Sequence, residues 1–177
     1  MKKRIAFVHN AMWEMYNFRG ELLQELKAKG YEITVICPPD EKNAHYFTDL
    51  GIKLLTVPMS RKGTNIKEDV QLVKNLFKVY KKEKFDLVFH YTIKPNIYGT
   101  LAAKLARIKS IAITTGLGYV FLHNNITSLI AKFMYKFSLA FANEVWFLND
   151  DDMNIFLDKD LITERQAFKL PSEGINT

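Results

Sequence analysis

Polar residues that could bind or activate a substrate follow the short apolar run 87–89 of this chain. His90 comes directly after the run, and Lys94 and Asn96 lie in the segment that continues from it. An imidazole at the end of a strand can act as a general base or donate a hydrogen bond to a hydroxyl group. A single histidine can equally be structural, so we consider His90 either the general base of an enzyme or a core residue.

Lys94 stands one residue before Pro95, which suits the first turn of a helix. A cation at the amino terminus of a helix opposes the helix dipole. The placement becomes favourable if the cation binds an anion. We therefore predict that Lys94 contacts an anionic substrate.

The segment 9–17 is predicted to be a loop that leads from a strand into a helix. The amino terminus of a helix binds anions through its free backbone N–H groups, and Gly20 would let a ligand approach the backbone closely. The glycines do not have the G-x-G-x-x-G spacing, which argues against a nicotinamide-dependent dehydrogenase. Trp13, Tyr16 and Phe18 either stack on a sugar, lie under a lipid or pack beneath a partner domain.

Two further segments could contact a ligand. Thr115, Gly116 and Gly118 follow a predicted strand, where paired glycines permit either close ligand approach or a tight turn. Arg61 and Lys62 open the stretch 61–84, which has eight basic and three acidic residues in a chain of net charge +6. Such a stretch either attracts phospholipid, a diphosphate substrate or nucleic acid, or is simply a solvated helix face.

The sequence offers little sign of a metal site. The four histidines show no paired spacing, and Cys37 is the only cysteine. Asp150, Asp151 and Asp152 stand at the start of a predicted helix, where carboxylates cap N–H groups, so capping is favoured over cation binding. We expect neither a metal nor a cofactor. A single cysteine fits a reducing cytoplasm.

These candidate residues must be positioned by strands that alternate with helices. Apolar runs predict strands at 5–8, 33–37, 52–57, 86–90, 110–114, 144–148 and 167–170. Helices are predicted at 18–29, 43–50, 66–80, 95–107, 126–142 and 150–157. The alternation predicts a three-layer, doubly wound α/β fold with a mostly parallel sheet. Ligands in such folds bind at the carboxyl ends of the strands, where the candidate loops lie.

The segment 126–142 is apolar apart from a stripe formed by Ser128, Lys132 and Lys136. It is predicted to be either a buried helix or one that touches a membrane surface, and burial is favoured because a doubly wound sheet needs covering helices. No apolar segment reaches the roughly 20 residues of a membrane span. No signal peptide is recognisable. We expect a cytoplasmic protein, with peripheral attachment to the inner membrane face left open.

Taken together and in this order, the loops resemble the acceptor-side domain of glycosyltransferase family 4, whose members are retaining GT-B enzymes. The matching segments are Asn17-Phe18-Arg19-Gly20, Ser60-Arg61-Lys62-Gly63, Lys94-Pro95-Asn96-Ile97-Tyr98-Gly99 and Thr114-Thr115-Gly116-Leu117-Gly118-Tyr119-Val120-Phe121. The segment 171–177 is similar to the start of the hinge that leads to the second domain. The resemblance thus implies a Rossmann-like acceptor-side domain over residues 1–170 and a donor-binding domain that is absent here.

The resemblance implies transfer of a sugar from a nucleotide-sugar donor to a lipid-linked glycan acceptor in the synthesis of bacterial cell-surface polysaccharide. The donor diphosphate would lie near Gly20, and the isolated domain would be inactive. Many relatives carry a histidine in the loop after the fifth strand; residues 115–118 lack one, which leaves His90 as the catalytic candidate. The expected substrate-binding residues are Asn10, Phe18, Arg19, Gly20, Arg61, Lys62, Lys94, Asn96, Thr115, Gly116 and Gly118.

Two alternatives to the transferase stay open at this point. The chain could be a lipid- or glycan-binding module without catalytic activity, because the basic stretch and the aromatic loop could dock to anionic lipid. It could also be half of a UDP-sugar epimerase, an enzyme class that shares the GT-B architecture.

Overall fold

The computed structural model describes residues 2–61, 65–116 and 126–171. Seven strands form one sheet: β1 (Arg4–Val8), β2 (Glu32–Cys37), β3 (Lys53–Thr56), β4 (Leu87–Tyr91), β5 (Lys109–Thr114), β6 (Glu144–Phe147) and β7 (Ala167–Lys169). The connecting helices are α1 (Met12–Ala28), α2 (His45–Asp49), α3 (Ile66–Glu83), α4 (Thr100–Ala106), α5 (Ile126–Leu139) and α6 (Asp150–Asp158). A π-helical turn, Pro95–Gly99, precedes α4, and a 3-10 turn, Glu164–Gln166, precedes β7.

The sheet has the strand order β3-β2-β1-β4-β5-β6-β7, and all six strand pairs are parallel. Ile5 of β1 pairs with Ile33 on one side and with Leu87 on the other. The strands β2 and β3 are therefore added on one side of β1, and the strands β4 to β7 on the other side. The predicted doubly wound α/β fold is confirmed.

Both faces of the sheet carry an apolar core, because buried strands need covering on each side. Phe7 and Phe89 point towards α1, whose Met12, Met15 and Leu23 pack against them. Residues on the opposite face pack under the helices α3 to α6 in two clusters. The second of these clusters centres on Phe147 and Phe156.

Helix α1 begins at Met12, so the prediction of a loop up to Asn17 is wrong. Its buried stripe is Met12, Met15, Arg19 and Leu23, at helical spacing. The sequence prediction rested on the helical spacing of Phe18, Leu22, Leu23 and Leu26. Of these, Leu23 is buried as expected, whereas Phe18 and Leu22 are exposed. A polar Arg19 on the inner face concealed the true stripe.

Helix α3 is shifted in the same way from its predicted apolar face, which consists of Ile66, Val70, Val73, Phe77 and Tyr80. Its buried apolar side chains are Leu72, Leu76 and Tyr80, whereas Ile66 and Val70 are exposed. Asn65 caps the helix, because its side chain accepts hydrogen bonds from the backbone N–H groups of residues 67 and 68.

Helix α5 departs from the prediction of a buried helix. Leu129, Ile130, Phe133 and Phe137 are all at least half exposed, and only the opposite side, with Tyr135 and Leu139, enters the core. Among the described residues, no helix combines the length and apolar character that crossing a bilayer requires.

Candidate functional site

The carboxyl ends of β1 and β4 mark the point at which the sheet reverses its direction of growth. β1 lies between β2 and β4, so the connections that leave β1 and β4 run to opposite faces of the sheet. Crevices at such switch points are the usual ligand sites of open α/β sheets. His9 follows β1 and donates its backbone N–H to the carbonyl of Ile36 over 3.1 Å. Tyr91 is the last residue of β4.

Five side chains meet around this point, and we call them the switch-point cluster: His9, Glu14, Arg19, Arg61 and Tyr91. The imidazole of His9 lies 6.0 Å from the Tyr91 ring, and the guanidinium carbon of Arg19 lies 5.0 Å from the centre of the same ring. Glu14 forms an ion pair with Arg61 and lies 3.8 Å from Nε2 of His9. The cluster thereby connects α1, β4 and the segment after β3.

The switch-point cluster carries a positive excess, because two guanidinium groups face one carboxylate. Burial, together with the nearby charges of Arg19 and Arg61, lowers the pKa of His9 to about 4. His9 is therefore neutral at pH 7, and its Nδ1 accepts a hydrogen bond of 3.0 Å from the backbone N–H of Ala11. Such an excess favours anions.

The amino terminus of α1 adds to this field. Ala11 is its N-cap residue and provides no side-chain hydrogen bond to the first N–H groups of the 17-residue helix. Those N–H groups and the helix dipole favour a negative charge at the same edge of the sheet. Asn10 lies directly before this helix and is half-buried, so the structure places it beside the cluster.

Two other predicted binding residues of this segment, Gly20 and Phe18, do not belong to the switch-point cluster. Gly20 lies eight residues into α1, about 12 Å from its amino terminus along the axis. A Cβ atom on Gly20 would meet the Tyr16 ring at 3.6 Å, an ordinary contact. The expected approach of a ligand to the backbone at Gly20 therefore has no support in the geometry. Phe18 is 48% exposed and points away from the buried face of the helix.

Lys94 is buried and already neutralised. Its Nζ lies 2.7 Å from Oδ1 of Asp69 and 2.8 Å from Oγ of Ser60. The hydroxyl of Tyr98 donates to the other oxygen of the same carboxylate over 2.8 Å. The cation predicted to bind substrate thus connects the segment after β3, α3 and the π-helical turn.

Asn96 is also buried, and its Nδ2 donates to the carbonyl of Ile113 over 3.0 Å, which joins the π-helical turn to β5. Beside it, Thr92 adopts a φ of 70°, a left-handed conformation that is uncommon for a threonine. The hydroxyl oxygens of Thr92 and Thr114 are buried and have no hydrogen-bond partner within residues 2–61, 65–116 and 126–171.

The predicted catalytic role of His90 requires correction. His90 lies in β4, as predicted, but it is the fourth of five residues rather than the last, and its side chain has no exposed surface. Its Nε2 is 2.9 Å from the Tyr80 hydroxyl, and its Nδ1 is 3.3 Å from the Thr100 hydroxyl. Burial lowers the pKa of His90 to about 3. An enclosed imidazole cannot reach a substrate hydroxyl, so its position is that of a core residue between the sheet and α3 and α4.

The remaining predicted residues lie around the same edge. Thr115 and Gly116 are exposed after β5, and Gly116 has a φ of 144°, which glycine adopts without strain. Arg61 is exposed and belongs to the switch-point cluster. Lys62, Gly118 and residues 172–177 of the expected hinge lie outside the described residues.

Sequence reasoning missed His9, Glu14 and Tyr91 as members of the site. His9 directly follows the apolar run of β1, the same signal that singled out His90. The predicted strand ended at His90, whereas β4 ends one residue later, at Tyr91. One residue of displacement reverses the face on which a strand side chain lies.

A cavity at the opposite, amino-terminal edge of the sheet has a different character. It is lined by Lys2, Arg4, Lys27, Glu32 and Lys53 among others. The buried carboxylate of Glu83 accepts from Lys53 at 2.6 Å and from Arg4 at 3.2 Å, so part of this positive charge is compensated. Within the described part of the chain, no group of three or more His, Cys, Asp or Glu side chains could hold a metal ion.

Comparison with known proteins gives the same architecture. The profile of the glycosyl transferase 4-like family matches residues 4–149. The chain is 31% identical over 181 aligned positions to the N,N'-diacetylbacillosaminyl-diphospho-undecaprenol alpha-1,3-N-acetylgalactosaminyltransferase of Campylobacter jejuni, covering 98% of this chain and 47% of the relative. It is 23% identical to the UDP-Gal:alpha-D-GlcNAc-diphosphoundecaprenol alpha-1,3-galactosyltransferase of Escherichia coli, covering 82% of this chain and 38% of that relative.

The crystal structure of a glycosyltransferase from Rickettsia africae superimposes with a TM-score of 0.70 at 20% identity, covering 95% of this chain and 42% of that one. At this identity the superposition shows the shared fold. The chain spans less than half the length of the two curated relatives it matches. The family match over residues 4–149, together with the parallel sheet and its switch point, establishes that the chain belongs to the glycosyl transferase 4-like family.

Proposed function

We propose that this chain forms the acceptor-side half of a retaining glycosyltransferase that transfers a sugar from a nucleotide-sugar donor to a polyprenyl-diphosphate-linked glycan. The observation that carries the proposal is the switch-point cluster, where the guanidinium groups of Arg19 and Arg61 lie close to His9 at the edge of the sheet from which α1 begins. Both curated relatives are named for acceptors that carry a diphosphoundecaprenol group. A site with two guanidinium groups and free helix N–H groups suits a diphosphate.

The chemistry assigned to this half is binding and orientation. In the transfer, the bond between the sugar carbon and the donor diphosphate breaks, a bond to an acceptor hydroxyl oxygen forms, and that hydroxyl releases its proton. Arg19 is held in place by the Tyr91 ring and by its hydrogen bond of 2.8 Å to the Phe18 carbonyl. A cation fixed in this way can hold a phosphate group without losing further side-chain freedom.

The aromatic and amide groups around the cluster suit the sugar part of an acceptor. Trp13 is 53% exposed in the first turn of α1, three residues after Asn10. An exposed indole provides a flat apolar surface on which a sugar ring can stack, and an amide provides both a donor and acceptor. We assign Trp13 and Asn10 to the acceptor sugar.

The donor is assigned to a second, donor-binding domain of the complete enzyme. The small share of each relative that this chain covers supports that division. The leaving diphosphate would then be stabilised by cations and helix N–H groups, so we propose no metal and no cofactor for this half.

A binding experiment separates this proposal from its alternatives. The chain is titrated with a short-chain polyprenyl diphosphate N-acetylhexosamine, and with the same sugar lacking the diphosphate lipid. We expect binding of the first compound only, and no sugar transfer when UDP-sugars are added. Full turnover by the 177 residues would contradict the division into halves. Epimerisation of free UDP-sugar by a fusion with the carboxyl-terminal half of the Campylobacter jejuni relative would favour the epimerase alternative instead.

A further inference from the structure

The segment that carries Arg61 into the switch-point cluster has no regular secondary structure. It comprises residues 57–61, directly after β3, and we call it the β3 exit segment. Its first part is held by the core, because the backbone N–H of Val57 donates to the carbonyl of Cys37 over 2.9 Å and the side chain of Met59 is buried. The last two residues, Ser60 and Arg61, need a further contact if the guanidinium group is to keep one position.

The ion pair between Arg61 and Glu14 does not supply enough restraint by itself. The side chain of Arg61 is 64% exposed and that of Glu14 is 29% exposed. Ion pairs in such contact with solvent contribute little to stability, because water screens the charges and two long side chains must be ordered. The position of the Arg61 backbone therefore decides whether its guanidinium group stays in the cluster.

The hydroxyl of Ser60 fixes that backbone to a buried cation. Its Oγ accepts a hydrogen bond of 2.8 Å from Nζ of Lys94, and Lys94 is only 7% exposed. Hydrogen bonds from charged donors are about twice as strong as those between neutral groups. Ser60 directly precedes Arg61, so this one bond restrains the residue that the cluster needs.

Lys94 is in turn held by a carboxylate at the start of α3. Its Nζ lies 2.7 Å from Oδ1 of Asp69, and the hydroxyl of Tyr98 donates to Oδ2 over 2.8 Å. Lys94 directly precedes the π-helical turn and Tyr98 lies within it, so this turn brings both side chains to one carboxylate. Two residues before Lys94, Thr92 has its left-handed φ of 70°. Both features are uncommon and concentrate at functional sites, which points to a role for Lys94 beyond packing.

Stability alone does not account for the pair of Lys94 and Asp69. Replacing a buried ion pair by apolar side chains of similar volume is often neutral or stabilising, because the charges no longer have to be desolvated. An apolar pair would fill the same space but could not bind the hydroxyl of Ser60. What the ammonium group adds is therefore a defined position for the β3 exit segment.

We propose that the buried pair of Lys94 and Asp69 is a positioning element that, through Ser60, holds the guanidinium group of Arg61 at the switch point. Lys94 is thus a positioning residue, which acts on a ligand through Arg61 and does not touch it. That the ligand is the acceptor diphosphate rests on the proposed function, whereas the restraint on Arg61 does not.

Nuclear magnetic resonance relaxation tests the restraint without any ligand. The order parameters of the backbone N–H and the side-chain Nε–H bonds of Arg61 are measured in the unchanged chain and in Ser60→Ala. We expect both to fall in Ser60→Ala, and Ser60→Thr, which keeps the hydroxyl, to restore them. The exposed Arg165 in the 3-10 turn before β7 is the internal control and should not change. Unchanged order parameters of Arg61 in Ser60→Ala would overturn the proposal.

Acceptor binding tests the consequence for the site. Ser60→Ala should weaken binding of the short-chain polyprenyl diphosphate N-acetylhexosamine by about fivefold, the equivalent of one hydrogen bond. In Arg61→Gln the same change should have no further effect, because the group that Ser60 positions is gone. Equal losses in both backgrounds would show that Ser60 does not act through Arg61 and would refute the positioning role. Thr48→Ala, which removes a hydroxyl bonded to the carbonyl of His45 on α2, is the matched control and should bind like the unchanged chain.

An apolar replacement of the network separates positioning from stability. The triple variant Lys94→Met/Asp69→Leu/Tyr98→Phe removes the charges and their polar partner together, so it should fold and should unfold at a higher urea concentration than Lys94→Met alone. It should nevertheless show the low Arg61 order parameters and the weakened binding of Ser60→Ala. A folded triple variant in which Arg61 keeps the order parameters of the unchanged chain would contradict the proposal.

The two proposals fail separately. An unchanged chain that binds no acceptor analogue would refute the acceptor site, whereas loss of Arg61 order in Ser60→Ala would still establish the restraint. Conversely, analogue binding that requires Arg61 but is indifferent to Ser60→Ala would refute the positioning role alone.

Discussion

The guanidinium carbon of Arg19 lies 5.0 Å above the ring of Tyr91, so a buried cation from α1 rests on the final residue of β4. Cation–π contacts of this kind stabilise by about 0.5–2 kcal/mol. The contact fixes a positive charge at the switch point between β1 and β4. It explains why an arginine occupies the inner stripe of an otherwise apolar helix face.

Replacing Arg19 by lysine should lower the affinity for a polyprenyl diphosphate analogue by about tenfold, since a lysine keeps the charge but loses the planar, stacked geometry. Isothermal titration of the two proteins measures the change. The exposed Arg165 offers a matched control, and Arg165→Lys should leave the affinity unaltered. Equal affinities of the Arg19→Lys protein and the unchanged chain would exclude Arg19 from the site.

The buried pair of Lys94 and Asp69 predicts a large loss of stability when either member is removed. Lys94→Met leaves the Asp69 carboxylate buried with only the Tyr98 hydroxyl as a described partner, which should cost about 3–5 kcal/mol of unfolding free energy. Lys94→Met/Asp69→Asn should cost less than the sum of the single variants. Urea unfolding tests this. Removing the exposed pair of Lys29 and Glu25 by Glu25→Gln should cost under about 0.5 kcal/mol.

Position 99 requires a glycine because the backbone there lies directly against the His90 ring. A Cβ atom at Gly99 would lie 2.6 Å from Cδ2 and 2.7 Å from Nε2 of the His90 ring. Gly99→Ala should therefore destabilise the protein by about 1–3 kcal/mol through overpacking. In the background of His90→Ala the same change should cost much less, and a full, additive cost in that background would show that the two residues do not press on each other.

The core position of His90 also reverses an expectation from the sequence. As a general base, His90 would affect activity more than stability when replaced. As a core residue bonded to Tyr80 and Thr100, it should affect stability first, and His90→Ala should lower the melting temperature while the folded fraction still binds the acceptor analogue. Full stability combined with lost binding would restore a direct role.

Acid should destabilise the protein through two buried histidines. The pKa values of His9 and His90 fall to about 4 and about 3 in the folded chain, against 6.5 when unperturbed. Between these values the unfolded state binds more protons, so stability is fully present above pH 6.5 and is lost as the pH falls towards 3. Unfolding measured from pH 8 to pH 4 should show the loss, and His90→Gln should show a shallower one. An unchanged slope would contradict the burial of the imidazole.

The fold could be predicted almost completely from the sequence because each strand is a short apolar run ended by a polar or glycine-rich segment. The helix faces could not, for a physical reason. Arg19 and Asp69 are buried polar residues whose partners come from distant segments, and such partners are invisible to a periodicity of apolar residues. A buried helix stripe that contains one charged residue therefore gives a weaker apolar periodicity than an exposed stripe of apolar residues.

The sequence predicts the edge of the sheet at which the candidate site lies, but not the set of side chains that form it. Asn10 and Arg61 lie at the predicted edge, whereas Arg19 lies seven residues beyond the start of α1 and reaches Tyr91 through its side chain. Lys94 fails as a free cation because Asp69, 25 residues earlier, neutralises it. His90 fails because its side chain lies on the face of β4 that α3 and α4 cover, whereas Tyr91, the next residue, meets Arg19 and His9.

The central claim is that an acceptor diphosphate binds at the switch point, and nuclear magnetic resonance of the isotope-labelled chain tests it most directly. During titration with a short-chain polyprenyl diphosphate N-acetylhexosamine, the backbone amide signals of residues 9–14, 19, 61 and 91 should shift together and saturate. Those signals should move much less in the Arg19→Lys protein. Shifts confined to the cavity at the opposite edge, around Lys2, Lys27 and Lys53, would contradict the account.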